Sequence, residues 1–165
     1  MNFNETLEKM NTSIMSMYPM ARFYEAQGIL GETDGEIVSE VTEMTIVYAL
    51  PVNKTLIARI NQDIEKEGFS VSIVDSPWLE DRTMTPYVGM DLSQAIERIK
   101  QANYIMKSHN VVLRHPLHPD YTRPIYIWGD NKVGGVSVDI VTGDVKVEEV
   151  NKNSEEKTNY INLNW

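Results

Sequence analysis

The apolar positions of the chain follow two rhythms. Phe3, Leu7, Met10, Ile14 and Met17 form a single stripe on the 3.6-residue period of an amphipathic helix. Asn4 or Asn2 caps its start. Tyr18-Pro19 ends it, because a residue before proline is pushed out of the α region. Period two follows. Arg22 to Ala26 reads as a short aromatic strand, and Gly28, Gly31 and Thr33-Asp34-Gly35 read as turn chemistry. Met44, Ile46, Tyr48 and Leu50 then alternate with Glu43, Thr45, Val47 and Ala49, a strand with its stronger apolar face on the even numbers. Pro51 closes it. Leu56 to Ile60 and Phe69 to Val74 predict two more strands, joined by a polar connection over Asn61 to Gly68 with room for a helical turn.

Asp75 to Gly89 carries Pro77, Pro86 and Gly89 with several charges, and reads as a connector. A second helix starts at Asp91, where Gln94 three residues on completes a capping-box pattern. Leu92, Ala95, Ile96, Ile99 and Ala102 form its buried stripe. Strands are expected at Asn110 to Arg114, Pro124 to Trp128, Gly135 to Val141 and Asp144 to Val150. Thr142-Gly143-Asp144 makes the last two a hairpin. Asn151 to Thr158 is a polar linker. Ile161, Leu163 and Trp165 alternate with Asn162 and Asn164, the pattern of a further edge strand.

The two halves therefore run in one order, a capped helix and then four strands. The fold class is α+β, with two tandem α-β-β-β-β repeats making an antiparallel sheet with the helices on one face. The division is 1–75 for the first repeat, 76–90 for the connector, 91–150 for the second repeat and 151–165 for the tail. One helix on one small sheet buries too little apolar surface alone, and two units joined side by side bury far more.

The second half also resembles a family. A helix at Asp91 to Asn103, the strand Pro124-Ile125-Tyr126-Ile127-Trp128, and the run Val138-Asp139-Ile140-Val141-Thr142-Gly143-Asp144-Val145 look like the PepSY and PepSY-like pattern. The match covers 91–150, and the first half shares only the element order. The doubled layout is also similar in architecture to the β-lactamase inhibitor protein fold, without that family's cysteines. The resemblance implies a non-catalytic module that inhibits proteases or binds as a regulatory unit. A shared fold does not by itself assign a function.

Composition narrows the partners. The formal net charge of the 165 residues is -9. Such a surface repels phosphate backbones and anionic membranes, so neither nucleic acid nor membrane is expected, and it suits a basic protein or peptide. With no cysteine, disulfides, thiolate metal sites and a cysteine nucleophile are excluded together. Met1-Asn2-Phe3-Asn4-Glu5 lacks the basic and apolar regions of a secretory signal. With Met1 as the native start the chain is cytoplasmic; with a leader removed it is extracytoplasmic.

No catalytic residue or cofactor is expected. The histidines cluster between His109 and His118, and His115, His118 and Asp120 are candidate ligands for a divalent metal. Pro116 and Pro119 stiffen that segment and send successive side chains in different directions. A small metal-dependent enzyme built on this loop is the alternative reading. Ser108-His109 has no triad context, and Gly134-Gly135 lacks the ending of a phosphate loop. Asp139 is better placed to accept hydrogen bonds from the Val141-Thr142-Gly143 turn. The stronger binding signal is aromatic. If Ile125 and Ile127 face the helix, Tyr126 and Trp128 lie on an open sheet face, near Trp78, Tyr87, Tyr121 and Arg114. Exposed Tyr, Trp and Arg anchor protein interfaces. The expected function is a non-catalytic protein- or peptide-binding module acting through that face, in an inhibitory or regulatory role.

Overall fold

A computed structural model describes residues 1–63, 65–75, 83–84, 89–115, 123–130 and 134–148. Helix α1 (Phe3–Met17) leads into strands β1 (Arg22–Thr33), β2 (Glu36–Leu50), β3 (Lys54–Asn61) and β4 (Ser70–Asp75), with a 3₁₀ turn at Glu65–Glu67 before β4. Helix α2 (Leu92–Gln101) leads into β5 (Asn110–Arg114), β6 (Ile125–Asp130), β7 (Gly134–Asp139) and β8 (Val145–Glu148). The strands form one antiparallel sheet in the order β4-β3-β2-β1-β5-β6-β7-β8, and β1 and β5 meet at its centre. The fold is α+β, two helices on one eight-stranded antiparallel sheet. No helix among the described residues is long and apolar enough to cross a membrane.

Local chemistry explains the helix ends. Asn2, not Asn4, caps α1, its side chain accepting from Glu5 N at 3.1 Å. Tyr18 is the C-cap, immediately before Pro19. The Asp91–Gln94 capping box is present in both directions. At the other end of α2, Asn103 takes a left-handed φ of 59°. Asn103 N donates to Lys100 O and Tyr104 N to Ile99 O, which together make a Schellman ending.

The first strand departs from the expected pattern. β1 runs twelve residues, through Gly28 and Gly31, and the turn lies only at Asp34-Gly35. Its pairing with β2 shifts register between Phe23 and Glu25 and twice more between Ile29 and Glu32. Bulges of this kind bend a strand without ending it. Gly28 is there for space: a Cβ would stand 3.1 Å from the Phe3 ring and from Val41.

Strand alternation then divides the side chains between two faces. Leu56, Tyr48, Leu113, Tyr126 and Val138 share one face through the ladder registers, and with Phe3, Leu7, Met10, Leu92, Ala95 and Ile99 from the two helices they form a single core. Both helices thus cover the same side of the sheet. Ile125 and Ile127 are buried on the other side as a separate pair.

That placement corrects the aromatic-face expectation. Tyr126 and Trp128 are each 1% exposed, in the main core beneath the helices. Tyr126 packs edge-on to Phe3 at 6.1 Å and lies 6.0 Å from Trp128. The physical reason is volume. Two helices of different lengths stand off one sheet, and the largest side chains fill that gap at native density. The isoleucines need no such depth. Trp78, Tyr87 and Tyr121, proposed as companions of that face, lie outside the described residues, as do the alternating tail 159–165 and its linker.

Candidate functional site

The residues that join the two helices line a cleft. Asn4, in the first turn of α1, reaches across to α2 and β6. Its Oδ1 accepts from Leu92 N at 2.9 Å, satisfying one of the amides that a helix start leaves open. Its Nδ2 donates to Tyr126 Oη at 3.0 Å, and that hydroxyl donates in turn to Met90 O at 3.1 Å. Asn11, two turns along α1, accepts from Tyr48 Oη at 2.8 Å. The carboxamides on the inner edge of α1 are therefore tied to tyrosines of the sheet.

Above this network lies a cavity of about 620 Å³, with Leu7 and Tyr126 among its walls. Its charged lining among the described residues is Glu5 and Glu8 from α1 and Asp91 at the start of α2, with no lysine, arginine or histidine of those residues contributing to it. Glu5 and Glu8 lie on the exposed side of the α1 stripe. Asp91 is already engaged, accepting from Gln94 N and Ser93 Oγ. A polar, acidic rim over an apolar base suits a cationic group carried on an aliphatic stem.

The hydroxyl in the cleft is not set up for proton transfer. Burial pushes the Tyr126 phenol well above its ordinary pKa, and the nearby Asp91 charge adds to this, with the Asn4 hydrogen bond acting the other way. Tyr48 is raised by burial as well. Both remain neutral at physiological pH, and both make hydrogen bonds within the protein. A catalytic acid or base needs a pKa near the working pH and a free position toward substrate.

Of the other residues singled out in the sequence for binding or metal, Arg114 and His115 are among those described. Arg114 ends β5 on the helix-free side, opposite Glu25 and Ile125 in register. His115 follows it, half-buried, while His118 and Asp120 lie outside the described residues. No group of three metal-ligating side chains occurs among the described residues. His109 is engaged elsewhere, 2.7 Å from Glu32 at the far end of β1.

Asp139 has the hairpin role read from its spacing. Its Oδ1 accepts from Val141 N at 2.8 Å and Thr142 N at 3.0 Å. Its Oδ2 accepts from Arg123 Nε at 2.6 Å. Gly143, with φ of 79°, closes the turn by donating to Asp139 O.

Sequence reasoning missed the cleft. From the sequence Asn4 reads only as a local cap for α1. The signal present was a surplus, two asparagines where one cap suffices. No protein-family model matches the chain, and neither curated proteins nor solved structures provide a significant match.

Proposed function

We propose that this chain is a non-catalytic module that binds a protein or peptide by taking a basic side chain of the partner into the cleft between α1 and α2. The observation that carries the reading is the lining of that cleft among the described residues: three carboxylates, no cation, and an apolar base formed by Leu7 and Tyr126. A lysine or arginine laid there places its stem on the base and its charge among the carboxylates. The protein's charge of -9 favours the same partners at long range. The neutral, hydrogen-bonded Tyr126 hydroxyl supports binding over chemistry.

Two related units of the PepSY-like kind are consistent with this role. Support for that reading is the element order, helix then four strands, twice, together with the Asp139 turn. In it, the cleft is the seam where the helices of the two units meet, so the site belongs to the pair and to neither unit alone. An inhibitory or regulatory module acts in this way, by occupancy.

Selection from a random peptide library on the full chain tests the proposal. Wild-type protein is expected to enrich lysine- and arginine-containing peptides. The triple variant Glu5→Gln, Glu8→Gln, Asp91→Ser is expected to lose that enrichment; serine at 91 retains a capping side chain. Peptides with no basic bias, or a bias that survives in the variant, overturn the assignment.

A further inference from the structure

The two edges of the sheet are built differently. β8 is four residues long and carries Lys146 and Glu148, the short, charged form that discourages strand addition. β4 is six residues, Ser70-Val71-Ser72-Ile73-Val74-Asp75. It has no lysine, no proline and no register shift along its pairing with β3, and beyond it no strand follows among the described residues. Ile73 is 45% and Val74 41% exposed. The core also runs out to this edge: Phe69 and Val71 pack against it while only partly buried.

We propose that β4 is a self-association edge, where a second copy of this chain adds its own β4 antiparallel to continue the sheet across a two-fold axis. Charge and register select a second copy over other occupants. In a protein of net charge -9, most surfaces repel their own copy, but the only charge on β4 is Asp75, which already lies 3.9 Å from Lys54. Opposed residues of an antiparallel pair share a face, so an axis perpendicular to the sheet must pass through one residue. Placed at Ser72, it sets Val71 against Ile73 of the copy, twice, on the helix side. On the other side it sets Ser72 against itself and Ser70 against Val74. No carboxylate faces a carboxylate. The helix-side row Leu56-Ile73 thereby extends into the copy, covering the apolar positions that one chain leaves half open.

Sedimentation across a concentration series, on the full chain, tests this. The wild type is expected to double its 18.9 kDa mass reversibly as concentration rises. Ile73→Lys is expected to remain monomeric with an unchanged circular dichroism spectrum. Ser72→Cys, the only cysteine in the chain, is expected to cross-link into a dimer on oxidation, with Lys146→Cys on β8 as the negative control. A wild type that stays monomeric into the high-micromolar range overturns the proposal, even if an added extended peptide then binds this edge. A dimer that survives Ile73→Lys, or that Lys146→Cys traps instead, overturns it equally by placing the contact elsewhere. The cleft variants leave β4 untouched, so loss of peptide selection and loss of dimerisation are separable results.

Discussion

Asp139 shows how much one side chain can fix. Its carboxylate is 15% exposed and accepts three hydrogen bonds. Burial alone raises its pKa. The bonds from Thr142 N, Arg123 and Val141 N outweigh that, and the net shift is downward. A folded-state pKa below the unfolded value of about 3.9 stabilises the protein at neutral pH, and this stabilisation is lost as pH falls through the folded value. Asp139→Asn keeps an acceptor at Oδ1 and removes the charge. Because Arg123 is half exposed, the cost at pH 7 is expected to be modest, about 1 kcal/mol. Urea melts of the two proteins are expected to differ at pH 7 and to converge below about pH 4. Curves that stay equally far apart at pH 3 remove the charge from this account. The hairpin role of Asp139 is legible because its turn partners Val141 and Thr142 lie within three residues along the chain; Arg123, sixteen residues away, is not. Tyr126 was not legible. Its partners Asn4 and Met90 are distant in sequence, and alternation alone leaves open which face of β6 the helices cover.

Among the elements, those specified by local chemistry came through clearly and those specified by packing did not. The α2 capping box, β5 with both its ends, and the even-numbered face of β2 follow from caps and alternation within one short segment. The sequence pattern ends β1 at Ala26 because Gly28 and Gly31 look like turn residues. Their reasons differ, and the difference is measurable. At Gly28 an added Cβ meets Phe3 and Val41 at 3.1 Å, both fully buried. At Gly31 the nearest atom is Glu40 O, at an ordinary 3.7 Å. Neither glycine has positive φ. Gly28→Ala is therefore expected to destabilise by about 1–3 kcal/mol through overpacking. Gly31→Ala is expected to be neutral or to stabilise by up to about 1 kcal/mol, through the lower entropy of the unfolded chain. Chemical denaturation of both variants decides it. Equal losses at the two positions would show that the strand needs glycine for its bulges and not for helix packing.

At the scale of the whole molecule, the question is whether the two helix-and-four-strand halves behave as two units or one. The sequence pattern divides them at the 76–90 connector. The structure joins them in three ways. β1 and β5 pair over Glu25–Ile29, Asn4 ties α1 to the start of α2, and a single core draws on both helices and both sets of strands. Opening one half would expose the centre of the other, at about 25 cal/mol for each Å² of apolar surface uncovered. The halves are accordingly expected to unfold together, with calorimetric and van't Hoff enthalpies in agreement. Native-state hydrogen exchange gives the finer test. The amides of Ile46 in β2, Leu113 in β5 and Val138 in β7 are expected, where they exchange by global opening, to report the same free energy. In Gly28→Ala all three are expected to fall by the same amount, although the substitution lies in β1. If Val138 keeps its protection while Ile46 loses it, the second half is stable without the first. The cleft between α1 and α2 would then open and close with the association of two units, and binding in it would depend on that equilibrium.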